Sequence, residues 1–222
     1  MKIKNVYKIF FKHIIQIFSF NNQFSSFSNE NLANNKKRVY KEYFGKYSSE
    51  ICDEYVLEQK FYKNNFHKRI INKWTSQYHI SLNKFLRGFY IPSSEELKDF
   101  DRYSRILSLL INESSGLNED TLLFRGEKDV NLASRFIIGE INKFEGFIAA
   151  SFNRKTGIYF SSTGKNPYLI IILARKFSKG IAINGKEIGE YPNQNEWLLN
   201  NGQKYITRKI DENNKIIEIE LL

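Results

Sequence analysis

Three short segments carry the side chains with the most chemical potential. Leu122-Leu123-Phe124-Arg125-Gly126-Glu127 is an apolar strand pattern that ends in an arginine and a glycine. The run from Gly146 to Asn153 reads Gly-Phe-Ile-Ala-Ala-Ser-Phe-Asn and offers one hydroxyl, Ser151. The third, Tyr191-Pro192-Asn193-Gln194-Asn195-Glu196-Trp197-Leu198-Leu199, sets an amide and an acid two residues apart before an apolar strand. A planar guanidinium grips phosphate oxygens in two-pronged fashion, which makes Arg125 the candidate anion holder. Glu196 is the candidate catalytic acid, because a carboxylate bonded to a sugar hydroxyl tightens its grip as positive charge develops on the ring. Strand alternation puts Gln194 and Glu196 on one side, so one can hold a first substrate and the other its acceptor. Gln194 can hydrogen-bond an amide or a base edge but cannot take a proton.

Other chemistries lack their residues. Cys52 is the single cysteine, so neither an intramolecular disulfide framework nor a cysteine-based zinc site is expected. It lies in the polar stretch Ser48-Ser49-Glu50-Ile51-Cys52-Asp53-Glu54 and is expected to be inert. His13, His67 and His79 show no metal-ligand spacing, and no metal is expected.

The elements that must position these residues change character along the chain. Residues 36–115 carry helical patterning, with helices predicted over about 36–46, 50–64, 66–87 and 94–113. Ile70, Ile71, Trp74, Tyr78, Leu82 and Phe85 keep one face apolar, and Pro92-Ser93-Ser94-Glu95-Glu96 reads as a helix start. After residue 120 come short β-rich runs, Thr121–Phe124, Gly146–Ser151, Tyr168–Ala174, Trp197–Leu199, Lys204–Arg208 and Ile216–Leu222, with a short helix around 130–143. Helices first and strands after predict an α+β fold. A chain of 222 residues, 41% hydrophobic and 15% aromatic, can bury one sizeable core.

Residues 1–32 read as a separate segment. Ile3, Tyr7, Phe10, Ile14 and Phe18 recur at helical spacing among Lys4, Lys8 and Lys12, an amphipathic cationic helix able to lie on an anionic membrane surface or on the protein itself. The lysines interrupt any signal-peptide core, and no run approaches the length of a membrane span. An Asn- and Ser-rich linker follows. Residues 1–100 hold 17 Lys/Arg against 9 Asp/Glu and the remainder 17 against 15, within a net charge of +10. The basic half suits an acidic partner.

Taken in order, Arg125-Gly126, Ala149-Ala150-Ser151, Phe160 and Gln194-x-Glu196 before Leu198-Leu199 resemble a class of mono-ADP-ribosyltransferases. That class carries an arginine, then Ser-Thr-Ser, then Glu-x-Glu or Gln-x-Glu, and includes the Rho-modifying clostridial exoenzymes. The resemblance spans residues 66–222 and makes 33–222 the transferase domain, helical over 33–117 and β-rich over 118–222, and implies a helical lobe packed on a mainly antiparallel β-sandwich core. It implies NAD as co-substrate in a cleft, held by Arg125, Gly126, Phe160 and Lys165 and by the helix carrying Trp74 and Asn83. It implies Glu196, Gln194 and Ser151 as catalytic residues, and Tyr191 with Gln194 as recognition residues for the acceptor. With Gln194 in place of a glutamate, asparagine or glutamine is the expected acceptor rather than arginine.

A toxin- or effector-like monomer acting in virulence is implied, secreted or injected into a host cell and associated with membrane there through residues 1–20. The expected target is a protein, small GTPases among the candidates. An NAD glycohydrolase, a nucleic-acid-modifying transferase and a non-catalytic binding module with a decayed site remain alternatives. Departures from the pattern are Gly157, where alanine is usual, and Ala149-Ala150 for Ser-Thr. The first serine of the family orients the glutamate, and its loss costs about 0.5–1.5 kcal/mol of orientation. Reading Ser161-Ser162-Thr163 as the serine motif instead leaves too little chain before the strand at Leu169.

Overall fold

Local sequence signals set the ends of the helices. The computed structural model describes residues 47–59, 63–162, 164–184 and 194–222. The segment 1–32, the helix expected over 36–46 and Tyr191 lie outside them. Helix α1 spans Tyr47–Glu58 and α2 spans Asn65–Thr75, where the Asn64 side chain accepts hydrogen bonds from the N–H groups of Phe66 and His67. Helix α3 spans Tyr78–Leu86 and α4 Ser94–Glu113. The latter starts in a capping box, with Ser93 and Glu96 each satisfying the other's backbone.

The single helix predicted over 66–87 is broken. Ser76 leaves the helical conformation, and the hydroxyls of Thr75 and Ser76 donate to the carbonyls of Asn72 and Lys73 at 2.9 and 2.7 Å. Two short side chains thus take over backbone groups that would have continued the helix. Hydrophobic periodicity runs through the bend undisturbed, so patterning alone does not reveal it.

Eight strands follow: β1 Thr121–Glu127, β2 Ile141–Lys143, β3 Ile148–Ser151, β4 Tyr168–Ala174, β5 Ile181–Ile183, β6 Glu196–Leu199, β7 Lys204–Asp211 and β8 Ile216–Leu221. The helix predicted around 130–143 is replaced by one turn, α5 (Leu132–Arg135), and by β2. Gly139, in the left-handed region at φ +83°, ends any helical course there. Helix α6 (Arg154–Ser161) directly follows β3, its first turn capped by the Asn153 side chain. Neither α6 nor β5 is signalled by the sequence pattern.

The strands hydrogen-bond in the order β2-β7-β8-β4-β1-β3-β6-β5, antiparallel except for β4 beside β8. The order falls into two groups. β1 lies along the whole of β4, from Thr121 opposite Ala174 to Glu127 opposite Tyr168. Towards β3 it offers a single pairing, Phe124 opposite Ser151. The layers of the expected sandwich are therefore continuous through one narrow junction.

The buried core draws on both groups. Trp197 on β6 is fully buried and meets Tyr55 and Phe152 edge-on at 5.3 and 5.9 Å. Gln59 ties the end of α1 to β5, donating to the Gly180 carbonyl and accepting from Ala182 N–H. Cys52, despite its polar neighbours in sequence, is fully buried, its sulfur 3.7 Å from the Ile183 carbonyl. Among the described residues, no helix is long and apolar enough to cross a membrane, and no group of three His, Cys, Asp or Glu could hold a metal ion.

Helix α6 lies directly on β1. A methyl group at Gly126 would overlap the Gly157 carbonyl and the Ser161 backbone nitrogen, whereas one at Gly157 would meet the Leu169 Cδ1 methyl at 2.9 Å and Phe124 Cβ at 3.1 Å. Backbone cannot yield as a side-chain tip can. Gly126→Ala is therefore expected to destabilise the protein by about 1–3 kcal/mol. Gly157→Ala should stay within about 1 kcal/mol of wild type, its better helix propensity offsetting the tighter fit. Urea unfolding of both variants tests this, and equal losses would refute it.

Candidate functional site

Where the two strand groups part, a cavity of about 830 Å³ opens. Trp74, Asn83, Arg125, Gly126, Ser151, Phe160, Gln194 and Glu196, all singled out from the sequence, line it. Lys165 does not: it is exposed in the turn before β4, its N–H bonded to the Asp129 carboxylate, and Lys128 lines the cavity instead.

Arg125 is held from two directions. Its Nε donates to Glu127 Oε1 at 2.8 Å and its Nη1 to the Ala149 carbonyl at 2.7 Å. Burial pushes the Glu127 carboxyl up, but Arg125, Arg135 and Arg87 outweigh that and hold it below the usual carboxylate range. Arg87, just past α3, also lines the cavity, its Nε donating to the Glu145 carbonyl at 2.9 Å. Burial, and then the charge of Arg125, lower its pKa. Sequence reasoning missed Arg87, Glu127 and His79 as site residues. The available signal was the four-residue spacing of Asn83 and Arg87, which places both on one helix face.

Glu196 begins β6, its backbone opposite Ser151 on one side and Ile183 on the other. No described residue donates a hydrogen bond to its carboxylate. Burial pushes its pKa up to about 7, with Arg125 pulling in the opposite direction. A carboxylate this uncomfortable as a charge, at a cavity wall, has the environment typical of functional acids.

Ser151 is bonded into the turn before that acid. Its buried hydroxyl donates to the Gln194 carbonyl, has the Asn195 carbonyl at 3.2 Å, and accepts from Asn153 N–H at 2.9 Å. It fixes the turn that delivers Glu196. In that turn Asn195 is buried and left-handed at φ +48°, its carbonyl accepting from Phe152 N–H. Ser161 and Ser162, by contrast, bond to carbonyls of α6.

On the helical side, Trp74 is 4% exposed and meets Phe147 edge-on at 5.7 Å, with His79 at 5.4 Å. Both ends of the Asn83 amide are taken by Phe147, whose N–H donates to Oδ1 and whose carbonyl accepts from Nδ2. Asn83 thus clamps α3 to the approach of β3. Gly126 is required by the packing of α6, which fills the space a side chain would need, rather than only by a ligand's approach. Phe160 and the more exposed Tyr159 stand at the cavity mouth.

No family model matches the chain, and no curated protein matches it in sequence. Solved structures do match in fold. Vis toxin, an ADP-ribosyltransferase from Vibrio splendidus, aligns with a TM-score of 0.62 at 15% identity, over 88% of this chain and 87% of its own. C3stau2 from S. aureus, solved with NAD, gives 0.64 at 16% identity over 79% and 94%. Plx2a, an ADP-ribosyltransferase toxin from Paenibacillus larvae, gives 0.57 at 21% identity over 78% and 96%. The chain has the fold of the ADP-ribosyltransferase toxins.

Proposed function

We propose that this protein is a mono-ADP-ribosyltransferase that cleaves NAD and transfers ADP-ribose to a side chain of another protein. The observation that carries the reading is the convergence of Arg125 and Glu196. They come from different strand groups, open onto one cavity, and interact electrostatically there. The fold shared with NAD-dependent toxins supports it.

In this reading the Arg125 and Arg87 guanidiniums hold the two phosphates, with Trp74 and Phe160 providing apolar surface for the rings. The Glu196 carboxylate accepts a hydrogen bond from the ribose 2-hydroxyl. As the bond between the anomeric carbon and nicotinamide lengthens, its electron pair leaves with the nicotinamide nitrogen and the sugar becomes cationic. The fixed negative charge beside it then binds more strongly than in the ground state, which is the condition for rate acceleration. An acceptor nitrogen adds to the anomeric carbon and loses its proton to solvent water. Gln194, neutral and both donor and acceptor, suits an asparagine or glutamine amide better than a guanidinium needing deprotonation. Tyr191 docks the target and Ser151 keeps the Gln194–Glu196 turn in place. The protein acts as a secreted or injected toxin on a host protein, with small GTPases as the first class to test.

Glu196 must be ionised to work, so kcat/KM for nicotinamide release is expected to rise with pH through about 7. In Arg125→Gln the midpoint should move upward, because the cation favouring the charged form is gone. A profile flat across that range would contradict the assignment.

Glu196→Gln should lower turnover by roughly 100-fold or more. It should also gain stability. A carboxyl whose folded pKa is raised costs stability as pH climbs from the unfolded value through about 7, and the amide does not. Melting temperatures of wild type and variant should therefore diverge from about pH 5 to about pH 8, the variant becoming the more stable. With labelled NAD and cell lysate, label that survives nuclease but not protease is expected. Label lost to nuclease would point to a nucleic-acid acceptor.

A further inference from the structure

The transferase reading leaves one buried acid without a task. Glu127 ends β1 two residues after Arg125, on the same face of the strand. Both side chains are largely buried, 17% and 20% exposed. Its Oε1 accepts from Arg125 Nε at 2.8 Å and lies 3.9 Å from Arg135 Nη2. An acid this enclosed is costly unless paired, and three guanidiniums, of Arg87, Arg125 and Arg135, supply the compensation.

The geometry at Arg125 gives this pairing a consequence. A guanidinium carries five N–H groups in one plane. Glu127 takes the Nε edge and the Ala149 carbonyl takes Nη1, from β3. Two contacts on different nitrogens define the plane and its rotation, and no described residue takes Nη2. A long, flexible side chain is thereby ordered before any ligand arrives, so binding does not bear that entropy cost.

We infer that Glu127 is a positioning residue for the proposed reaction, fixing the Nε edge of Arg125 so that Nη2 and the remaining Nη1 hydrogen face the pyrophosphate of NAD. This rests on the transferase reading. It assigns Glu127 no contact with the dinucleotide; it acts through Arg125. A carboxylate placed against phosphate without that intermediary would repel it.

The test is a double-mutant cycle on the full chain, reading the Kd for NAD by titration calorimetry and KM and kcat for nicotinamide release. Glu127→Gln keeps an acceptor oxygen but removes the charge, and is expected to raise Kd and KM about threefold. Glu127→Ala, which leaves Nε unpartnered, should raise them about tenfold, with kcat reduced less. In an Arg125→Lys background, Glu127→Gln should change Kd by less than a factor of about 1.5, because the group it positions is gone. Glu212→Ala, an exposed acid in the turn after β7, controls for loss of one negative charge and should behave as wild type.

Effects of Glu127→Gln that are equal in both backgrounds would overturn the positioning role, as would Glu127 variants that bind NAD like wild type. Should Glu127→Ala fail to fold, the Glu127→Gln cycle alone decides. A wild-type protein that binds no NAD would overturn the transferase reading itself, a result distinguishable from every variant outcome.

Discussion

The site depends on how little of β1 is shared with β3. If the two strands paired along their length, the C-terminal end of β1 would be buried in a continuous sheet, and no cavity could open beside it. They share instead one position, Phe124 opposite Ser151. The next residue along β3's other edge is Glu196, opposite the same Ser151. One row of pairings thus runs from β1 through Ser151 to Glu196, and two strand spacings, about 10 Å, separate the backbones of Phe124 and Glu196. Arg125 and Glu127 lie just beyond the junction, where β1 has left β3. The same row that joins the two groups also sets the separation of the cation and the acid.

That arrangement determines the electrostatics. Glu196 has no donor to its carboxylate among the described residues, and burial dominates, raising its pKa to about 7. Glu127 is enclosed too, yet its pKa falls, because guanidiniums surround it. Two glutamates in one cavity wall are pushed in opposite directions by their neighbours. One is committed to an ion pair, while the other, in the proposed reaction, faces the developing cation. The same partition leaves Arg125, though already in an ion pair, with an Nη2 that no described residue takes, while Arg87 is tied through Nε to the Glu145 carbonyl.

Much of this was legible in the residue pattern. Strand-end Arg125, the Gln194–Glu196 spacing and the apolar runs at 121–124, 168–174 and 216–222 are local signals, and local signals are what periodicity reports. Helix α4 was readable from its capping residues for the same reason. The break at Ser76 was hidden because the apolar face of α2 continues into α3, and β5 because three residues are too short to show alternation. Helix α6 was masked by its composition, Arg154-Lys155-Thr156-Gly157, whose glycine argues against a helix in isolation; its place is secured by packing on β1, where Gly126 leaves room for it. Glu127 and Arg87 could not be read as a pair at all. Their relation to Arg125 is created by tertiary packing.

The replacement of Ser-Thr by Ala149-Ala150 takes on a different meaning in three dimensions. Read as sequence, it removes the hydroxyl that orients the catalytic acid. In the fold, Ala149 contributes through its carbonyl, which holds Arg125 and requires no particular side chain. Ala150 is buried against the core, where a hydroxyl would need a partner. Ser151 secures the turn before Glu196, and strand pairing on both sides fixes that residue's backbone. Among the described residues, what fixes Glu196 is therefore its backbone pairing and not a hydrogen bond to its carboxylate. Such an acid keeps all its acceptor capacity for the ligand, at the cost of rotamer freedom before the ligand binds. The two alanines thus fit the proposed site, in which the guanidinium is preorganised by Glu127 and the Ala149 carbonyl.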